Sequence, residues 1–191
     1  LTPGDWEFDV IDENLELALD DKGDITFEPV DMVWITSVTY QVPRAYHIAK
    51  VCREKGMTVI MGGIHASVVP EEASKHVDAI FIGEAETLWP QVIKDFEKGE
   101  LKKKYEGGLP GLSEMKHVFP DRDLLKKKYD YKFSSIVTTK GCPNYCDFCS
   151  VPTFQGKKYR ERPFEDVLDE MEATDYKGLM FAEDNFYGHS K

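Results

Sequence analysis

Short apolar runs alternate with amphipathic segments along much of the chain. Residues 32–38, 58–61 and 79–82 have the length and composition of buried strands, because each is an apolar run bounded by polar or glycine residues. Residues 43–56 and 89–96 carry apolar side chains at helical spacing. Strands that alternate with helices in this way form parallel sheets. The pattern predicts an α/β fold with a flavodoxin- or Rossmann-like parallel sheet.

A second alternating set occupies the last third of the chain. It contains a predicted strand at residues 135–139, a helix opened by Pro163 and a strand at residues 178–182, which are too few strands to close a barrel. The interval before this set is rich in glycine and proline and is typical of a linker. We therefore expect three parts, at residues 1–106, 107–132 (the linker) and 133–191.

Two weaker patterns add to this organisation. Residues 6–12 alternate apolar and polar side chains and predict a strand, and residues 71–76 predict a short helix. The chain begins with Leu1 rather than Met, and no strand and helix precede these elements as they would in a complete doubly wound sheet. We expect the sequence to be a fragment of a longer protein.

The predicted strand ends of the first part are rich in glycine and polar residues. Open α/β sheets bind ligands beyond the carboxyl ends of their strands. The residues at these ends are Thr36, Ser37, Val38, Gly62, Gly63, His65, Gly83 and Glu84. Glycines there let a bulky ligand approach the backbone, although they also form tight strand-to-helix turns without any ligand. No GxGxxG and no P-loop motif occurs, so neither a dinucleotide nor a P-loop phosphate site is supported.

Three cysteines, Cys142, Cys146 and Cys149, lie within eight residues of a loop after the strand at 135–139. A structural zinc site needs four ligands, and the remaining candidates are His117, His189 or water. A CxxC redox motif needs no third thiol. Three thiolates suit three irons of a [4Fe-4S] cube whose fourth iron stays open to another ligand, and this interpretation is favoured.

Composition excludes some classes of function. The 191 residues carry a formal net charge of −11, and their Lys and Arg residues form short runs rather than a broad stripe, so nucleic-acid binding is not indicated. No apolar run approaches the ~20 residues of a membrane span, and the first residues do not resemble a signal peptide. Clustered thiols that do not form a disulfide framework fit a reducing compartment. We expect a cytoplasmic protein.

The cysteine loop resembles the signature of radical S-adenosylmethionine enzymes, with the spacing Cys142-x3-Cys146-x2-Cys149 directly after a strand and aromatic Phe148 before the last cysteine. The resemblance implies that the cysteines hold a [4Fe-4S] cluster and that Phe148 lies near the adenine of S-adenosylmethionine. It also implies a partial (β/α) barrel for residues 133–191. The residues that would hold the amino group of the cofactor, by position, are Glu183, Asp184 and Asn185.

The first part resembles the cobalamin-binding domain of the B12-dependent subgroup of that family. The matching stretches are Gly62-Gly63-Ile64-His65-Ala66-Ser67, Pro70-Glu71-Glu72-Ala73 and Ile82-Gly83-Glu84-Ala85-Glu86. This resemblance implies that the strand-end residues bind cobalamin. The Asp-x-His-x-x-Gly motif, whose histidine ligates cobalt in other cobalamin proteins, does not occur, so His65 is not assigned as a cobalt ligand.

The resemblance implies reductive cleavage of S-adenosylmethionine at the cluster and methyl transfer through cobalamin to an unactivated carbon. It also implies a small-molecule or lipid-like substrate and an electron donor such as a flavodoxin or ferredoxin. Three alternatives stay open: a non-methylating member of the same subgroup, a corrinoid-binding module without catalysis, and a structural zinc protein.

Overall fold

The computed structural model describes residue 2 and residues 4–114 and 119–186. The chain divides into two compact units, Leu1–Gly108 and Leu109–Lys191. Each unit is built around its own parallel strand pairing, and each is described by itself.

The first unit contains a four-stranded sheet in which all neighbours are parallel, in the order β1-β2-β3-β4. Its strands are β1 (Met32–Thr36), β2 (Thr58–Gly62), β3 (Ala79–Gly83) and β4 (Lys104–Gly108). Its helices are α1 (Val42–Glu54), α2 (Gly63–Val68), α3 (Pro70–Ala73) and α4 (Trp89–Glu97). The predicted parallel sheet is confirmed, and the carboxyl ends of its strands lie at one edge.

Side chains of this sheet alternate between two cores, as the pleat of a strand requires. Val59 and Met61 of β2 pack with the buried face of α1, and Leu19 of the N-terminal segment joins the same core. Ile60, between them, packs on the other face with Val92 of α4. Both faces of the sheet are therefore covered, which explains why its central strands are continuous apolar runs.

Several predicted elements of this unit differ from the structure. The strand expected at residues 6–12 is a mostly irregular segment, because apolar and polar alternation alone supplies no partner strand. The helix expected at 71–76 is α3, which starts at Pro70 and ends at Ala73, and α2 before it was not expected. The two helices are separated at Val69, the residue before Pro70, whose backbone leaves the helical region. The strand expected at 32–38 ends at Thr36, so Ser37 and Val38 lie in the following loop.

The strand β4 was not expected from the sequence. Its residues Lys-Tyr-Glu-Gly-Gly are too polar and too rich in glycine to show a strand pattern, yet Tyr105 is buried and pairs with Phe81 of β3. The predicted linker at residues 107–132 therefore begins inside a strand. It also includes Arg122, which is bound to the core of the second unit.

The second unit begins with β5 (Ser134–Ile136), which pairs in parallel with β8 (Leu179–Phe181). Between them lie β6 (Thr139–Lys140) and β7 (Arg160–Glu161), which pair antiparallel, and the helices α5 (Val151–Phe154) and α6 (Phe164–Ala173). The strand expected at residues 135–139 is split into β5 and β6. Between these two strands, the carbonyl of Val137 and the amide of Thr138 bond to the side chains of Arg162 and Glu183, and the carbonyl of Thr138 accepts from the amide of Arg162, the residue after β7. The chain thereby passes from its pairing with β8 to its pairing with β7.

A buried ion cluster joins α6 to the end of β5. Glu170 is only 2% exposed, and its two carboxylate oxygens accept hydrogen bonds from Arg122 at 2.6 Å and from Arg162 at 2.5 Å. Arg162 also donates to Asp166 at 2.9 Å and to the carbonyl of Val137 at 2.9 Å. Each arginine of the cluster has a carboxylate partner, so no charge in it is left unmatched. Because Arg162 also bonds to the carbonyl of Val137, the cluster fixes the backbone just before the cysteine loop.

Candidate functional site

The cysteine loop starts at Gly141, directly after β6. Gly141 has a φ of +85°, and a Cβ atom there would collide with the carbonyl oxygen of Lys158 and lie 3.1 and 3.2 Å from those of Gln155 and Gly156. The amide of Cys142 donates to the carbonyl of Gly156 at 3.1 Å. Only glycine can hold this conformation so close to the backbone of residues 155–158, so the start of the loop is fixed.

The three thiols of the loop are free and differ in exposure. Cys146 is exposed, while Cys142 and Cys149 are partly buried. The amide of Cys149 donates to the carbonyl of Cys146 at 3.0 Å, which forms a tight turn between these two residues. Within the described residues no three His, Cys, Asp or Glu side chains converge on a point where one ion could bind. Three free thiols on one loop suit an iron–sulfur cluster, in which each thiolate binds a different iron.

The fourth cysteine lies elsewhere. Cys52 is fully buried in the core of the first unit, and burial raises the pKa of its thiol. A buried, protonated thiol is a poor metal ligand. The histidines considered for a zinc site, His117 and His189, lie outside the described residues.

The carboxyl end of β8 is bonded to the loop between β5 and β6. Oε1 of Glu183 accepts from the amide and from the hydroxyl of Thr138, each at 2.6 Å. The other oxygen, Oε2, is buried and has no hydrogen-bond partner among the residues that the structure describes. A buried carboxylate oxygen without a partner is costly, so this oxygen fits a cationic ligand group such as the amino group of S-adenosylmethionine.

Asp184 and Asn185 contact the cysteine loop. Oδ2 of Asp184 accepts from Nε2 of Gln155 at 2.8 Å, and Oε1 of the same Gln155 accepts from the amide of Gly141 at 2.9 Å. Nδ2 of Asn185 lies 3.3 Å from Sγ of Cys142. The structure thus places Asn185 against Cys142, links Asp184 to Gly141 through Gln155, and places Glu183 against Thr138 in the β5–β6 connection. The sequence did not single out Gln155 and Thr138.

Two aromatic residues of the loop are exposed. The side chain of Phe148 is 92% exposed, and Tyr145 lies under the ammonium group of Lys157, 4.6 Å from the ring centroid. An apolar ring with this exposure is available for stacking on a flat ligand such as adenine.

At the carboxyl edge of the first sheet, Ser37 is the residue that best fits a ligand role. It is 6% exposed, and its Oγ is buried without a hydrogen-bond partner in the described parts of the chain. Its carbonyl accepts from the amide of His65 at 3.2 Å, which joins the loop after β1 to α2. The amide of Val38, the next residue, donates to Gln41 at 3.1 Å. An unpartnered hydroxyl at this edge fits a polar group of a bound cofactor.

The glycines at the same edge are required by close packing of the protein itself. A Cβ atom on Gly62 would lie 2.7 Å from the indole of Trp34, and one on Gly83 would lie 2.6 Å from the carbonyl oxygen of Gly108. Gly63 has a φ of +85° and lies against the backbone of Ser37 and the side chain of Thr36. The space at each of these Cβ positions is filled by protein, which supports the tight-turn interpretation of these glycines.

His65 is 3% exposed, and both of its ring nitrogens have protein partners. Nε2 lies 3.0 Å from the hydroxyl of Tyr46, and Nδ1 lies 3.4 Å from the hydroxyl of Thr39. Tyr46 also donates to Glu72 at 3.3 Å, and burial, together with the charge of Glu72, raises the pKa of Tyr46 to about 12. His65 therefore connects α1 with α2 in this structure.

Gly83 and Glu84 bond the end of β3 to α2 and to β4. The amide of Gly83 donates to the hydroxyl of Ser67 at 3.0 Å, and the amide of Glu84 donates to the carbonyl of Gly108 at 3.1 Å. These bonds place both residues at the same edge as Thr36, Ser37 and Gly63. The residues predicted at the strand ends are thus gathered at one edge of the first unit.

Comparison with known proteins identifies relatives of this chain. A bacteriochlorophyllide d C-8(2)-methyltransferase of Chlorobaculum tepidum is 36% identical over 165 residues, which cover 84% of this chain and 36% of the relative. A hopanoid C-3 methylase of Methylococcus capsulatus is 26% identical over 180 residues, which cover 83% of this chain and 35% of that protein. The chain belongs to the family of cobalamin-binding radical S-adenosylmethionine enzymes.

Structural comparison supports the fold. TsrM, a radical S-adenosylmethionine methyltransferase from Kitasatospora setae solved with cobalamin and a [4Fe-4S] cluster, has a TM-score of 0.63 and 16% identity. The match covers 82% of this chain and 38% of TsrM, and it confirms the predicted fold class. No protein-family model matches the chain.

The chain spans about a third of the length of the curated relatives it matches. No helix among its described residues is long and apolar enough to cross a membrane. The family assignment favours a cluster over zinc at the cysteine loop.

Proposed function

We propose that this chain forms the cofactor-binding part of a cobalamin-dependent radical S-adenosylmethionine methyltransferase. The single observation that carries the proposal is the cysteine loop in its structural setting. Three free thiols follow Gly141, whose backbone no other residue could adopt without collision. The carboxyl end of β8 contacts the same loop directly through Asn185 and indirectly through Asp184, which is bonded to Gln155 and so to Gly141.

Cys142, Cys146 and Cys149 would hold a [4Fe-4S] cluster. When bound, the cluster supplies an electron for cleavage of S-adenosylmethionine, and cobalamin supplies a methyl group. The chain contributes the positions of the ligands. The Gly141 turn and the bond from Cys142 to Gly156 orient the first thiol, and the turn between Cys146 and Cys149 orients the other two.

S-adenosylmethionine would be held at the end of β8. The unpartnered Oε2 of Glu183 would accept a hydrogen bond from the amino group of the cofactor, since Oε1 is already bonded to Thr138. Phe148, exposed on the loop, would cover the adenine. Asp184 would add negative charge beside the amino group.

Cobalamin would bind at the carboxyl edge of the first sheet. The unpartnered hydroxyl of Ser37 would bond to a polar group of the corrin, and the loops that carry Thr36, Val38 and Glu84 would line the same edge. His65 would act indirectly, because its ring nitrogens are bonded to Tyr46 and Thr39. It would hold the Gly62 and Gly63 turn in place rather than ligate cobalt.

The substrate would be a small or lipid-like molecule methylated at an unactivated carbon. Support comes from the names of the relatives, which methylate a bacteriochlorophyllide and a hopanoid. A flavodoxin or ferredoxin would supply electrons to the cluster. The protein would work in the cytoplasm, where reduced thiols persist.

The proposal is tested with anaerobically reconstituted protein. We expect about four iron and four sulfide per chain, one bound cobalamin after incubation with hydroxocobalamin, and formation of 5′-deoxyadenosine when S-adenosylmethionine and a reductant are added. Replacing the three loop cysteines with alanine should remove iron and sulfide. As a matched control, Cys52→Ala should leave the iron content unchanged, because Cys52 is a core residue.

Two results would contradict the proposal. Iron that persists after all three loop cysteines are replaced would place the cluster elsewhere. Tight cobalamin binding by a wild-type protein that takes up neither iron nor sulfide would instead select a corrinoid-binding module.

A further inference from the structure

Cys142 has a hydrogen-bond donor beside its sulfur. Nδ2 of Asn185 lies 3.3 Å from Sγ of Cys142, and the two residues are 43 positions apart in the sequence. The contact joins the end of β8 to the first cysteine of the loop. It is within the distance at which an amide donates to sulfur.

The contact is supported by an independent pair of bonds. Gln155 accepts from the amide of Gly141, the residue before Cys142, at 2.9 Å, and it donates to Asp184, the residue before Asn185, at 2.8 Å. One side chain therefore links the two residues that precede the contact. The distance from Asn185 to Cys142 is set by this link as well as by the contact itself.

The chemistry of the three residues at the end of β8 separates their roles. Ionised Glu183 and Asp184 can only accept hydrogen bonds, so they suit a cationic ligand group and would repel a thiolate. Asn185 is the one member of the three with N–H donors, so it alone can stabilise the negative charge of a sulfur ligand.

We infer that Asn185 is a positioning residue for the cluster, which holds Cys142 by an N–H···S hydrogen bond and raises the reduction potential of the iron–sulfur centre. The inference rests on the proposed function. Its physical basis is that hydrogen bonds to cluster sulfurs help to set the potential, and a donor stabilises the reduced state because that state carries more negative charge. S-adenosylmethionine would then be held by Glu183 and Asp184 without Asn185.

The experiment compares Asn185→Leu and Asn185→Asp with wild-type protein after anaerobic reconstitution. Both variants keep the approximate size of the side chain and lose the donor at neutral pH. We expect the ratio of reduced to oxidised cluster at a fixed potential to fall about tenfold, which corresponds to a midpoint about 59 mV more negative. Redox titration followed by electron paramagnetic resonance measures this ratio. Asn185→Gln, which restores an amide, should recover part of the shift.

Asn144→Leu is the matched control, because Asn144 is an exposed amide in the same loop. It should keep the wild-type potential. Iron loss from the Asn185→Leu and Asn185→Asp proteins, with iron retained by Asn185→Gln and by the control, would also support the inference, since it shows that the donor holds the ligand.

The outcomes distinguish this inference from the proposed function. If wild-type protein forms a cluster but Asn185→Leu and Asn185→Asp keep its potential and iron content, the inference is overturned and the proposed function stands. Equal iron loss from all four variants would also overturn it, because the effect would be general damage to the loop. A wild-type protein that forms no cluster overturns both.

Discussion

Oε1 of Glu183 accepts two hydrogen bonds from Thr138, from its amide and its hydroxyl, each at 2.6 Å. This relationship joins the carboxyl ends of two parallel strands and leaves Oε2 of Glu183 buried without a partner among the described residues. The carboxylate is thereby held in one orientation before any ligand binds. Such preorganisation lowers the cost of binding.

Glu183→Gln should weaken the binding of S-adenosylmethionine at least about tenfold, or about 1.4 kcal/mol. The amide of glutamine can still accept from Thr138, so the fold should survive, but an NH2 group in place of Oε2 cannot accept from the amino group of the cofactor. Equilibrium binding to reconstituted protein measures the effect. An unchanged dissociation constant in a protein with full iron content would show that Glu183 has only a structural role.

Gly141→Ala should lower the iron content of reconstituted protein well below that of wild type. A Cβ atom would meet three carbonyl oxygens and would force a positive φ on alanine, so the loop must shift. Gly99→Ala is the control, because Gly99 also has a positive φ but has open space around its Cβ position. It should cost about 1 kcal/mol of stability and leave iron uptake unchanged. Equal iron content in both variants would refute this account of the turn.

Glu170→Gln should destabilise the second unit by about 3 kcal/mol, since it removes the buried carboxylate that pairs with Arg122 and leaves Arg162 paired with Asp166 alone. Urea unfolding measures the change. Glu172→Gln removes an exposed carboxylate from the same helix and should change stability by no more than about 0.5 kcal/mol. Similar values for the two variants would mean that the ion cluster contributes no more than an exposed side chain does.

Tyr46→Phe should alter the pH dependence of stability of the first unit at alkaline pH. The pKa of Tyr46 is raised from 10.0 to about 12, chiefly by burial and then by the charge of Glu72. Between these values the unfolded chain loses the phenol proton while the native protein keeps it, so the native state loses stability as the pH rises from 10 towards 12. Below pH 10 this contribution is fully present.

The measurement is the difference in unfolding free energy between wild type and Tyr46→Phe as a function of pH. Lysines titrate in the same window in both proteins, so their effect cancels in the difference. The side chains that face the Tyr46 ring and hydroxyl are His65, Glu72 and the stacked ring of His76 at 3.7 Å. A difference that stays constant from pH 8 to 12 would contradict the raised pKa.

The sequence predicts the strands β1 to β3 and the cysteine loop because their signals are local. Apolar runs of strand length mark buried strands wherever both faces of a sheet are covered, as they are at Val59, Ile60 and Met61. β4 gave no such signal, because its side chains are mostly polar and its last two residues are glycines. The alternation at residues 6–12 is a strand signal, yet the structure forms only a single bridge residue there, at Val10.

The partners of the candidate site could not be predicted from the sequence. Gln155 and Thr138 act on residues 14 to 45 positions away, and nothing in their local pattern distinguishes them from other polar loop residues. The same holds for the unpartnered oxygens of Ser37 and Glu183, which depend on burial by distant segments. The glycines at the strand ends were visible, but only the structure shows that protein fills the space beside Gly62 and Gly83.

The central claim is that the three loop cysteines hold a [4Fe-4S] cluster with one iron open to S-adenosylmethionine. The most direct measurement is the electron paramagnetic resonance spectrum of the reduced, reconstituted protein before and after S-adenosylmethionine is added. We predict a [4Fe-4S] signal that changes shape on addition and that is absent from the variant lacking Cys142, Cys146 and Cys149. A signal that S-adenosylmethionine leaves unchanged, or that survives loss of the three cysteines, would contradict the claim.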